Sequence, residues 1–146
     1  MSTEPKVIEN ERAFTKWVED THRKYRHHAK IIFISGELGA GKTTFTREWL
    51  RLCGEKGRIK SPSFSIVESY RCDGYGEIHH IDLYRIEHKG EVLSVGLESY
   101  MHDRMIIEWP EKGAAEVLLP DLWISIKIVD NSARAVKYLV QPQVKK

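Results

Sequence analysis

Gly36-Glu37-Leu38-Gly39-Ala40-Gly41-Lys42-Thr43 is the stretch of this chain best suited to chemistry: a glycine, four residues, then Gly-Lys-Thr. That is the full spacing of a phosphate-binding loop, the P-loop. Glycines let the backbone curl so that successive N–H groups point inward at phosphate oxygens. A helix beginning near Thr43 adds the positive end of its dipole. Leu38, Gly39, Ala40, Gly41 and Thr44 are the expected cradle. Lys42 places a point charge on the β- and γ-phosphates, and the Thr43 hydroxyl is a magnesium ligand. Glu37 is expected to face solvent. A glycine-rich turn with a stray lysine is the alternative, but every fixed position and both flanking elements favour the phosphate reading.

Two carboxylates stand where a P-loop needs them. Met105-Ile106-Ile107 reads as a short buried strand that ends at Glu108, and Pro110 stops it. An apolar strand followed by an acid is the pattern that carries magnesium opposite a P-loop; a surface ion pair is the ordinary alternative. Asp82 closes the strand-like run Glu77–Leu83 and is either a magnesium partner or an orienter of the attacking water. Ser61-Pro62-Ser63-Phe64-Ser65 offers hydroxyls just past the P-loop helix, which either sense the γ-phosphate or form a plain Ser-Pro turn. Arg85 is either a charge stabiliser or a structural ion pair. Trp109 adjoins Glu108 and should feel nucleotide binding. His22, His27 and His28 cluster near a helix end, where cations are ordinary, so a metal reading of them is weak.

The elements that must position these residues are readable in order. Lys6-Val7-Ile8 suggests an edge strand. Asn10 can cap a helix whose face carries Ala13, Phe14, Trp17, Val18 and Tyr25. Lys30–Ser35 is a buried parallel strand feeding the P-loop. The helix after it has Phe45, Trp49, Leu52 and Cys53 at helical spacing and Gly54 as its C-cap. Ser65–Arg71 and Glu77–Leu83 flank an Asp-Gly turn, a hairpin signal. Glu87–Met101 looks helical but broken at Gly96. Leu122–Ile128 and Ala133–Val140 alternate and form a C-terminal hairpin, followed by a tail. The expected fold is a three-layer α/β/α P-loop NTPase domain with a mixed sheet, parallel around the P-loop strand and extended by antiparallel hairpins.

Composition sets the outer bounds. The 146 residues suit one domain, 1–146, with one core. The chain is 41% hydrophobic and 30% charged, with 23 Lys and Arg against 21 Asp and Glu. That balance implies no broad basic surface for nucleic acid, though a local patch is compatible with it. No apolar run is long enough to span a bilayer and no signal peptide is read, so no membrane is implied. Cys53 and Cys72 lie far apart without metal-ligand spacing, which suits a reduced, cytoplasmic setting.

Four segments together resemble the TsaE family (older name YjeE) of bacterial P-loop ATPases. Gly36–Thr44 is similar to its nucleotide loop, Ser61-Pro62-Ser63-Phe64 to its Ser-Pro-Thr-Phe segment, His80-Ile81-Asp82-Leu83-Tyr84-Arg85 to its His-x-Asp-Leu-Tyr-Arg segment, and Ile107-Glu108-Trp109-Pro110-Glu111 to its Glu-Trp segment. The likeness covers nearly the whole chain in order. It implies binding and slow hydrolysis of ATP with magnesium, in partnership with TsaB and TsaD, in forming threonylcarbamoyladenosine next to the anticodon of tRNA. The tRNA would be reached through the complex. The resemblance further implies that Thr43 and Glu108 hold magnesium, that Lys42 and the loop hold phosphates, and that Asp82 supports catalysis. It also puts the adenine near Glu11 and Arg134. Ser63 stands where the family usually has Thr, which keeps the hydroxyl.

The rivals fare worse on the same residues. A small-molecule P-loop kinase needs an acceptor site and usually an arginine-rich lid; little chain follows the P-loop and no such insertion appears. A GTPase switch needs Asp-x-x-Gly and Asn-Lys-x-Asp, and neither string occurs.

Overall fold

The computed structural model describes residues 4–62 and 65–141. β1 (Lys6–Ile8) leads into α1 (Glu11–Tyr25), then β2 (Ile31–Ser35) and α2 (Lys42–Leu52). β3 (Val67–Cys72) and β4 (Gly76–Asp82) form a hairpin. Short turns of helix follow, including α3 (Val92–Val95), and then β5 (Arg104–Glu108), α4 (Ala114–Val117), β6 (Leu122–Ile128) and β7 (Arg134–Val140). The seven strands make one sheet in the order β1-β7-β6-β2-β5-β4-β3. The inner strands β6, β2, β5 and β4 are parallel, while β3, β7 and β1 are antiparallel additions. The mixed α/β fold expected from the pattern is the fold observed.

The reason β2 is central is written in its residues. Ile32, Phe33 and Ile34 are all buried, because both faces of the strand are covered. Ile32 and Ile34 point to a core built with α1 and α2, whereas Phe33 joins Ile81, Ile107, Val92, Leu97 and Ala114 in a second core on the opposite face. The two layers differ in build. α1 is capped by the Asn10 side chain, which accepts from Ala13 N at 2.8 Å, and it buries Phe14, Trp17, Val18, Thr21 and His22 along one stripe. Trp17, Phe45 and Trp49 stack in a row between α1 and α2. The other layer consists of short turns: 3-10 turns at Lys89–Glu91, Leu97–Tyr100 and Pro110–Lys112, besides α3 and α4.

Three local expectations need adjustment. Leu52 is partly exposed at 38%, and α2 packs instead through Phe45, Thr46, Trp49 and Leu50, with Cys53 just beyond. The broken helix of Glu87–Met101 starts later, at Lys89, and never gains a full α-helical run; Gly96 at φ 77° marks the break. The turns at Pro110–Lys112 and α4 were not foreseen, since four residues or fewer leave no helical period to read.

Candidate nucleotide and magnesium site

The sheet order explains why the expected site residues meet. β2, β5 and β4 are successive parallel neighbours, so their C-terminal ends lie side by side. In register, Ile34 pairs with Glu108 and Glu108 with Asp82. The P-loop leaves β2 just beyond this row. The crevice outside the carboxyl ends of parallel strands is where open α/β sheets bind ligands.

Two glycines have a direct steric reason. A Cβ on Gly36 would lie 2.6 Å from the Ile126 carbonyl oxygen of β6, so only glycine fits where the loop departs. Gly41, the N-cap of α2, has φ 115°, in the region where side chains are strained, and its Cα faces the Phe14 ring. The loop is braced from outside by Arg134. Its Nε donates to the Ala40 carbonyl at 2.9 Å and its Nη2 to the Gly39 carbonyl at 3.2 Å. Other guanidinium N–H groups hold the carbonyls of Asp130 and Ala133.

Lys42 is buried, at 5% exposure, and its ammonium donates to the carbonyls of Gly36 and Glu37. It also lies 4.3 Å from the Trp109 ring centre, over its face. Burial draws the Lys42 pKa down, while the nearby Glu108 and Asp82 carboxylates pull it back up. Thr43 Oγ1 donates toward Glu108, at 3.2 Å from Oε1 and 3.4 Å from Oε2. Glu108 is 1% exposed, which excludes a surface ion pair. Its Oε2 also meets Nε2 of the fully buried His80. Burial pushes the Asp82 carboxyl above the usual range, opposed by the Tyr84 N–H that it accepts at 2.9 Å and reinforced by repulsion from Glu108.

Two clefts flank the loop. The first, about 420 Å³, is lined by Leu38, Lys42, Thr43, Thr44, Asp82, Glu108 and Trp109 together with Ser61, Tyr84 and Arg85. The second, about 390 Å³, lies on the other side of Gly39, Gly41 and Thr44 and is lined by Glu11, Phe14, Asn131, Ser132 and Arg134. Every expected site residue among the described ones therefore borders one cleft or the loop between them. Ser63 and Phe64 lie outside the described residues. Glu37 is exposed, as expected. His22 turns inward against Trp49 and Cys53, while His27 stays outside, stacked on Tyr75.

Two features were missed from the sequence. Trp109 sits at φ 60°, strained for a bulky residue, which turns its ring back over Lys42. His80 lies two residues before Asp82 on the same face of β4, but its meeting with Glu108 depends on the pairing of β4 with β5, which residue spacing does not show.

The residues present suit a hard divalent cation. Thr43 and Glu108 offer only oxygen, they face one another, and a second buried carboxylate stands beside them.

The model of the threonylcarbamoyl adenosine biosynthesis protein TsaE family matches residues 8–137. The tRNA threonylcarbamoyladenosine biosynthesis protein TsaE of Haemophilus influenzae is 35% identical over 133 residues, 90% of this chain and 83% of that protein. Its namesake in Bacillus subtilis is 30% identical over 126 residues, 85% and 78% of the two chains. The crystal structure of Bacillus subtilis YdiB superposes with a TM-score of 0.67 at 26% identity, covering 96% of this chain and 87% of that one. With the family model matched over most of the chain and relatives at 30% and 35% identity, this protein belongs to the TsaE family.

Proposed function

We propose that this protein is a magnesium-dependent ATPase that serves tRNA threonylcarbamoyladenosine biosynthesis in the cytoplasm, working with TsaB and TsaD. The observation that carries the reading is the row of three strand ends, which sets the P-loop, Glu108 and Asp82 in adjacent positions with Thr43 Oγ1 against the Glu108 carboxylate. The family relationship supplies the biosynthetic context.

The work divides among the chain's own residues. The second cleft takes the base, with Glu11 and the Arg134-braced hairpin at its wall. The amides of Gly39 to Thr44 and the α2 N-terminus hold the phosphates. Lys42 exchanges the Gly36 and Glu37 carbonyls for phosphate oxygens, so its charge is delivered from a preformed position. Magnesium, held by Thr43 and Glu108, neutralises phosphate charge when bound. Asp82, its pKa raised by burial, accepts a hydrogen bond from the attacking water and orients it. Ser63 senses the γ-phosphate, and Arg85 adds positive charge at the first cleft's rim.

Turnover by the isolated chain is slow in this reading, because the partners contribute to charge stabilisation and water positioning in the transition state. The partners complete the site, and tRNA is met through the complex. Hydrolysis measured with the protein alone, with TsaB and TsaD, and with Ser63→Ala tests this. The expected result is a severalfold rise on adding the pair, blunted in Ser63→Ala more than ATP affinity is weakened. Fast unassisted turnover, or no response to the pair, contradicts the partnership and favours a kinase acting on a small acceptor.

A further inference from the structure

We propose that His80 is a positioning residue for the Glu108 carboxylate, locking it in the orientation that receives the cation; this rests on the magnesium reading above. His80 is 0% exposed, and its Nε2 meets Glu108 Oε2. Its other nitrogen, Nδ1, is buried with no hydrogen-bond partner among the described residues. A carboxylate oxygen only accepts, so Nε2 carries the proton. The imidazole thus makes one hydrogen bond and leaves one polar atom unsatisfied in the interior. On the same face of β4, two residues earlier, Ile78 fills the core without that cost. A histidine at position 80 is worth its cost only through the Nε2–H it offers to Glu108.

The geometry shows what that bond does. Glu108 must present an oxygen toward Thr43, and its carboxylate can otherwise rotate about its last side-chain bond. With Oε2 engaged by His80, Oε1 is the oxygen nearer the Thr43 hydroxyl, at 3.2 Å. The carboxylate is held from behind by β4 and faces α2 in front. Such outer partners fix the direction of a ligand and are felt in metal affinity. Asp82, beside Glu108 across the β4–β5 register, repels it. The His80 N–H supplies the attraction that keeps Glu108 in place without a cation.

The reach of the donor makes the test specific. A glutamine places its amide nitrogen about where the imidazole Nε2 lies, whereas asparagine reaches only as far as Nδ1. Binding of Mn²⁺ with ADP is measured from the electron paramagnetic resonance signal of free Mn²⁺, and ADP binding is measured separately in EDTA. His80→Leu and His80→Asn are expected to weaken Mn²⁺–ADP binding at least tenfold, with His80→Gln within threefold of wild type and the EDTA affinity unchanged in all three. If His80→Leu fails to fold, the contrast between Asn and Gln decides alone. Equal affinities for Asn and Gln, wild-type metal affinity in His80→Leu, or a parallel loss of ADP affinity in EDTA overturns the proposal. Glu108→Gln is run alongside. If Glu108→Gln is weakened and His80→Leu is not, only the role of His80 falls; if Glu108→Gln keeps wild-type metal affinity, the magnesium assignment falls with it.

Discussion

Thr21 and His22, in the seam beneath α1, are as buried as Lys42, His80, Asp82 and Glu108 are at the strand ends, yet the two groups are treated in opposite ways. In the seam, the ionisable groups are kept neutral. Thr21 donates to its own helix at the Trp17 carbonyl. The His22 ring sits edge-on to Trp49, and burial, with the nearby cations Arg26 and Arg104, lowers its pKa to about 4. Cys53 beside it is pushed up to about 12 by burial, so the thiol stays protonated. At the strand ends, by contrast, an ammonium and two carboxylates share a buried row, and two acids are held next to each other. Burial alone does not distinguish a core from a site. The difference is whether the buried groups are neutral or whether like charges are held together.

Removing the cation of the row should have the largest effect. Lys42→Ala is expected to lower ATP hydrolysis by about a hundredfold or more and to weaken ATP binding. The fold should persist, since the loss of two hydrogen bonds to loop carbonyls is offset by relief from burying an ammonium. Near-normal activity, or an unfolded variant, breaks the comparison at its first member. Next come the acids. Glu108→Gln is expected to weaken magnesium-supported ATP binding by at least about tenfold, while Asp82→Asn mainly slows turnover. Titrating magnesium against each variant separates them, and reversed effects swap the two roles.

The seam makes the complementary prediction, in stability. The folded pKa of His22 lies below its ordinary 6.5, so the unfolded chain takes up the proton first as pH falls. Stability from this group is whole above pH 6.5 and declines toward pH 4, by on the order of 3 kcal/mol. Denaturant unfolding of wild type and His22→Gln at pH 7 and pH 5 measures it; an equal decline in both proteins removes His22 as the cause. The smallest expected signal is optical. Trp17 and Trp49 are locked in the core, whereas Trp109 is half-buried over Lys42 and beside Tyr84. ATP with magnesium should change the intrinsic fluorescence, and Trp109→Phe should abolish most of that change. A signal that survives there assigns the reporter to another tryptophan.

What was legible in the sequence follows from range. The P-loop is contiguous, and Asp82 and Glu108 each end a local apolar run, so strand ends and acids were read together. The broken helix was visible through Gly96. The strand order was not legible, because placing β5 between β2 and β4 depends on pairing between distant segments. The same holds for Arg134, whose grip on the Gly39 and Ala40 carbonyls exists only once β7 lies against the loop. His80 shows no task in the sequence, since a lone histidine on a strand says nothing until its neighbour across the sheet is known. Trp109 was placed near the acid, but its left-handed backbone has no signature in residue type.

The most direct test of the buried row as a magnesium–nucleotide site is the affinity of the wild-type protein for ATP, measured by calorimetry with magnesium and again in EDTA. The account predicts binding at least about tenfold tighter with magnesium, because the cation relieves the repulsion between Asp82, Glu108 and the phosphates. Equal affinities in the two buffers contradict it.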